Sequence, residues 1–135
     1  MVAKRTDLPT IEGESRAFWD ALNEGRLTIG SCKACGKVHY YPRPFCPHCW
    51  SDDVELVEAS GEGTLYTFSV VHMNDLPPFN EQVPYVAAMV DLAEGVRVTT
   101  NIVGCDPDAL EIGMKLTVDF ESIDDGVTKA VFRAA

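Results

Sequence analysis

The stretch C-K-A-C-G-K-V-H-Y-Y-P-R-P-F-C-P-H-C, Cys32 to Cys49, decides how the rest of the chain is read. It holds two C-x-x-C pairs, Cys32/Cys35 and Cys46/Cys49, separated by ten residues that suit a small hairpin. Two such knuckles present four thiolates to one point, which is the donor set of a closed tetrahedral site, most simply zinc. Gly36 after the first pair lets the backbone fold back beneath the metal, and Pro47 stiffens the second turn. His39 and His48 lie near the cysteines, but four sulfurs already complete the shell, so both are expected to be non-ligands. C-x-x-C knuckles also hold a single iron in rubredoxin-like electron carriers. Trp50, however, stands where those carriers have glycine, which favours zinc and hence a structural rather than a redox role.

The remaining composition narrows the classes. The chain has 135 residues, 46% of them hydrophobic, enough for a small metal module plus a barrel. No apolar run reaches membrane-spanning length, and Met1–Thr10 lacks the apolar core of a secretion signal. A cytoplasmic location follows as an expectation, and reduced cysteines at knuckle spacing there point to metal rather than disulfides. The fifth cysteine, Cys105, has no partner pair and reads as a small core or loop residue. The net charge is -10, unevenly spread: residues 1–50 carry seven Lys or Arg and five Asp or Glu, residues 51–135 four and sixteen. The acidic half would repel a polyphosphate backbone, which argues against general nucleic-acid binding.

Outward from the cysteines, residues 11–24 read as a helix. Thr10 is its expected cap, Phe18 and Leu22 form its apolar stripe, and Gly25 is its stop. This helix is expected either to pack on its own domain or to dock on another subunit. Arg26–Gly30 and Lys37–Tyr41 read as short strands, with Tyr40, Tyr41 and Phe45 as the mini-core of the metal module. Ser51–Glu58 reads as a bridge. Five strands follow: Thr64–Met73, with Tyr66, Phe68 and Val70 on one face, then Tyr85–Leu92, Val96–Val103, Lys115–Ile123 and Val127–Arg133. A Pro-rich loop (Pro77, Pro78, Pro84) separates the first two, and D-P-D-A-L makes a helical-turn connection after the third. Five antiparallel strands suit a closed barrel of the oligonucleotide/oligosaccharide-binding (OB) type. The expected fold is therefore mainly β: an N-terminal helical segment (1–25), a rubredoxin-like zinc ribbon (26–58) and a five-stranded OB-fold barrel (59–135).

Catalytic signatures do not emerge. The sequence carries neither a G-x-S-x-G elbow nor a phosphate-binding Gly-rich loop after a strand. His72, at the end of the first barrel strand, reads as a solvated strand end. Asp75, Asp91, Asp106 and Asp108 form no recognisable acid/base pair. No catalytic residue is assigned in this chain.

Taken together, F-W-D-A-L-N-E-G-R-L, the two knuckles, G-E-G-T-L-Y-T-F-S-V-V-H, P-Y-V-A-A-M-V-D-L-A-E-G-V-R-V-T-T-N-I-V-G and E-I-G-M-K-L-T-V-D-F resemble one family across about residues 14–133. It is the acyl-CoA-associated family that joins a rubredoxin-like zinc ribbon to a C-terminal OB fold, once described only as a domain of unknown function. The resemblance implies an accessory subunit of thiolase-superfamily enzymes (thiolase, sterol-carrier-type thiolase or aldolase, hydroxymethylglutaryl-CoA synthase), not catalytic alone, which stabilises its partner and helps form the acyl-CoA channel. By that resemblance the zinc ligands are Cys32, Cys35, Cys46 and Cys49, and the nucleophile and base lie in the partner. Acyl-CoA would be bound only in the complex, and no residue of this chain is assigned to hold it. Through Lys33, Lys37 or Arg43 the ribbon either meets CoA phosphates or an acidic partner surface, or these charges merely keep it soluble. Phe18, Trp19 and Phe79 are expected to be exposed interface anchors. The competing reading is a free-standing single-stranded nucleic-acid-binding OB module.

Overall fold

The computed structural model describes residues 7–135, so the reading of the first six residues lies outside the described region. A 3-10 turn, Gly13–Ser15, leads into the helix α1, Arg16–Asn23. This start is later than the sequence suggests, and Thr10 is not the cap. The Ser15 hydroxyl accepts from the amide of Glu12 at 3.2 Å and donates to its carbonyl at 2.8 Å, so Ser15 takes the backbone groups that an earlier helix would need. The C-terminus is as expected. Gly25 sits at φ +76°, its amide donates to Leu22, and Arg26 donates to Ala21 at 2.9 Å, a paired closure that satisfies the last carbonyls.

The ribbon is a three-stranded antiparallel sheet in the order β2-β1-β3, with β1 at Thr28–Cys32, β2 at Val38–His39 and β3 at Val54–Glu58. β3 is the segment that reads as a mere bridge. Its charged residues, Glu55 and Glu58, face solvent while Val54, Leu56 and Val57 are half-buried, and it pairs with β1 over five positions, Thr28–Glu58 to Cys32–Val54. Acidic neighbours on a half-buried edge strand mask its alternation.

The barrel strands are β4 (Glu62–Val71), β5 (Tyr85–Leu92), β6 (Arg97–Ile102), β7 (Lys115–Asp124) and β8 (Val127–Ala134), closed in the order β4-β5-β6-β8-β7. Four seams are antiparallel; the fifth, β6 to β8, is parallel, with Ile102 opposite Phe132. Full closure leaves no unpaired edge. One face assignment changes. A bulge between Leu65 and Thr67 shifts the register of β4. Leu65 therefore points inward, Tyr66 points out, and Phe68 and Val70 turn back toward the core. Arg97 covers the outward Tyr66, its guanidinium carbon 3.4 Å from the ring centroid, while its Nε donates to Asp91 at 2.7 Å.

One hydrophobic core joins the parts. Phe18 and Leu22 of α1, Leu27 and Ile29 of the ribbon, and Leu65, Val90, Val98, Leu116 and Phe132 of the barrel belong to a single cluster. The helix thus packs on its own chain. Among the described residues no helix is long and apolar enough to cross a membrane.

Candidate metal centre

Each knuckle is a tight turn hung from the ribbon sheet. Cys32 ends β1, and its amide donates to the Lys37 carbonyl across the first turn. Gly36 then donates back to Cys32 at 2.9 Å. The second turn repeats this closure: Trp50 donates to Cys46 at 2.9 Å, and Cys46 donates to Ser51 at 2.8 Å. The two turns face one another and bring four sulfurs together. All four Sγ atoms lie within 4.8 Å of one another, with Cys32–Cys49 and Cys35–Cys46 each at 3.6 Å. A tetrahedral zinc with Zn–S bonds of about 2.3 Å separates its sulfurs by about 3.8 Å, so the cluster fits that ion. Cys32 and Cys46 are buried while Cys35 and Cys49 are exposed, so the centre is half sunk into the ribbon.

The electrostatics favour a cation there. Burial pushes the Cys46 thiol up, but the amides of Cys49 and His48, together with the Cys35 and Cys49 thiols, outweigh it and bring the group down to about 6. For Cys49 the amide of Ser51 pulls down, yet burial and the neighbouring sulfurs Cys32, Cys35 and Cys46 raise it to about 12. Four thiolates this close cannot all ionise unless a divalent ion neutralises them. Backbone amides support the sulfurs, Cys35 N–H to Cys32 Sγ at 3.4 Å and His48 N–H to Cys46 Sγ at 3.3 Å. A shell closed by four sulfurs has no open position for substrate, so what such a site supplies is folding energy.

Neither nearby histidine belongs to the cluster of potential ligands. The His48 Nε2 lies 3.2 Å from the Val38 carbonyl. His39 is buried against Gly30, where any side chain would collide with its ring, and its Nδ1 has no hydrogen-bond partner. Burial, with the charges of Arg43 and His48, holds His39 below the usual imidazole range. Cys105 is half-buried against the core, and His72 is exposed just beyond β4.

Two expectations about aromatic residues fail. Phe18 is no exposed anchor: it is 4% exposed and meets Trp19 and Tyr40 edge-on, at 5.4 Å and 5.8 Å. Trp19 and Phe79 are half-buried. Conversely, Tyr41 and Phe45 do not form a ribbon mini-core, because α1 and the sheet supply that packing through Phe18, Leu27 and Ile29; both rings are exposed. Trp50 is the most exposed of the aromatic residues, at 75%.

Family comparisons agree with this geometry. Residues 19–55 match the model described as "ChsH2, rubredoxin-like zinc ribbon domain", and residues 56–121 match "ChsH2, C-terminal OB-fold domain". The chain is 42% identical over 127 residues to a probable enoyl-CoA hydratase alpha subunit of Thermomonospora curvata, covering 94% of this chain but 39% of that protein. It thus spans about two fifths of that relative's length. It is 41% identical to a DUF35 domain-containing scaffold protein of Methanocaldococcus jannaschii, with 81% of each covered. It is 34% identical over 73 residues to the benzoylsuccinyl-CoA thiolase subunit BbsA of Geobacter metallireducens, covering 54% and 47%. Among solved structures, the Ltp2-ChsH2(DUF35) aldolase superposes with a TM-score of 0.84 at 41% identity, over 94% of this chain and 98% of that one.

Proposed function

This chain belongs to the ChsH2 family of zinc-ribbon and OB-fold proteins, and from that premise we propose that it is a non-catalytic accessory subunit of a thiolase-superfamily complex acting on acyl-CoA substrates. The observation that carries the reading is the closed four-sulfur cluster on a ribbon fused through one core to the barrel. It is a chemically inert clamp on a chain similar throughout to one from an aldolase complex. The relatives' names point the same way: a scaffold protein, a hydratase alpha subunit and a CoA thiolase subunit.

On this reading Cys32, Cys35, Cys46 and Cys49 hold one structural zinc. The chain divides into an N-terminal segment that carries α1, a ribbon (26–58) and a barrel (59–135). Its seat is the cytoplasm, where thiols stay reduced and available to metal. The subunit stabilises the catalytic polypeptide and helps form its acyl-CoA channel, and the carbon–carbon chemistry is done by the partner's own groups. The test is reconstitution. Thiolase-superfamily polypeptides of the source organism are produced with and without this chain and assayed on acyl-CoA substrates. The proposal expects one of them to gain soluble, active protein only when this chain is present. Turnover of an acyl-CoA by the isolated chain would contradict it.

A further inference from the structure

Trp50 occupies a backbone position that its chemistry disfavours. The first knuckle closes with Gly36 at φ +76° and the second with Trp50 at φ 66°. Both make the same bond back to the first cysteine of their pair, at 2.9 Å. Among the described residues Trp50 is the only non-glycine at positive φ. In that region Cβ crowds the following carbonyl, a cost glycine escapes. The indole does not recover it by burial: Trp50 is 75% exposed. Its ring neighbour is Phe45, with centroids 6.3 Å apart and planes at 45°, and Phe45 is itself 47% exposed.

These two residues bracket the second knuckle, one immediately before Cys46 and one immediately after Cys49. Both rings therefore stand on backbone fixed by the sulfur cluster. Large rigid rings on a fixed backbone lose little freedom on docking, and tryptophan is enriched where interface energy concentrates. Strain kept at an exposed aromatic residue, when the glycine alternative is present in the sister knuckle, marks a side chain retained for contact.

We propose that the Phe45–Trp50 pair is the anchor by which this subunit docks into an apolar pocket of its thiolase-type partner. The inference rests on the accessory-subunit reading and adds the surface that mediates it. The occupant is a protein and not a stacked nucleotide base. Base-stacking platforms lie in positively charged grooves, whereas Asp52 and Asp53 follow this pair directly.

The experiment uses the full chain and the thiolase-superfamily polypeptide that assembles with it. Trp50→Gly gives the second knuckle the residue of the first. It is expected to keep its zinc and to melt at the same temperature or a few degrees higher, while its Kd for the partner weakens by about 30-fold or more. Phe45→Ala, which leaves the strained position alone, is expected to weaken the same binding with zinc retained. A Trp50→Gly protein that binds the partner as the wild type does overturns the proposal. So does loss of zinc or a lowered melting temperature with assembly intact, which would make Trp50 structural. Tight binding of the wild type to a single-stranded oligothymidylate, abolished in Trp50→Gly, also overturns it, since the pair would then be a base platform. If the wild-type chain assembles with no thiolase-superfamily polypeptide, the accessory-subunit reading falls first and the anchor with it.

Discussion

The side chain of Asn23 donates from Nδ2 to the carbonyl of Gly126 at 2.9 Å, joining the last residue of α1 to the turn between β7 and β8 across 103 residues of chain. With Phe18 and Leu22 buried beneath it, this bond fixes the helix to the barrel. The ribbon that follows the helix is thereby held in one orientation. For an accessory subunit, a fixed orientation is what lets one face be presented to a partner.

Asn23→Ala removes that tie at an exposed position. A loss of about 0.5–1 kcal/mol is expected, read as a lower urea midpoint with an unchanged slope. An unchanged midpoint would mean that apolar packing alone seats the helix.

Phe132 should matter far more. It is fully buried on β8, its carbonyl accepts from Val103 at 2.8 Å, and it faces Ile102 across the parallel seam. Phe132→Ala leaves a cavity where the barrel closes and is expected to cost about 3–5 kcal/mol in equilibrium unfolding. A cost below about 1 kcal/mol would show that this seam does not hold the barrel shut.

The zinc proposal predicts a split response. Cys46→Ser, or a strong chelator, should lower the metal content from about one ion per chain and unfold the ribbon, because metal-binding energy is folding energy in such modules. Circular dichroism and metal analysis together check this. Metal-free protein with the same melting temperature would refute a structural site.

Acid should act in part through Asp119. The amide of Phe120 donates to its Oδ1 at 2.9 Å and Arg133 Nε donates to Oδ2 at 2.9 Å, and these hold the carboxyl below its usual range. A depressed folded pKa gives stability that is present above the unfolded value, about 3.9, and is lost as pH falls through the folded value. Asp119→Asn should therefore be less stable than wild type at neutral pH, and the difference should shrink below about pH 4. A difference that stays constant with pH would rule the charge out as its source.

Much of this molecule was legible from its residues, and the exceptions have physical causes. The cysteine spacing announced the cluster because two tight turns leave the sulfurs little choice of place. Strand β5 is legible as a nearly continuous apolar run, β6 and β7 through alternation, and β8 as the segment that follows the Asp124-Asp125-Gly126 turn. The β4 bulge was hidden because an extra residue leaves both halves of a strand alternating while switching the face. β3 was hidden because its outward positions are acidic and its inward ones only half-buried. Phe18 reads as an anchor because a helical stripe looks the same whether its own barrel or another subunit covers it. Trp50 stands out in the sequence as a departure from glycine, but its left-handed backbone and its exposure emerge only from the folded turn.

The role proposed for this chain is that of the zinc-stiffened subunit of a larger enzyme. The most direct measurement is the size and composition of the particle formed when it is co-expressed with the thiolase-superfamily polypeptides of its source organism. One of them is expected to co-elute with this chain in a single, larger, zinc-containing peak that carries the acyl-CoA activity. Separate elution of this chain from every such polypeptide would contradict it.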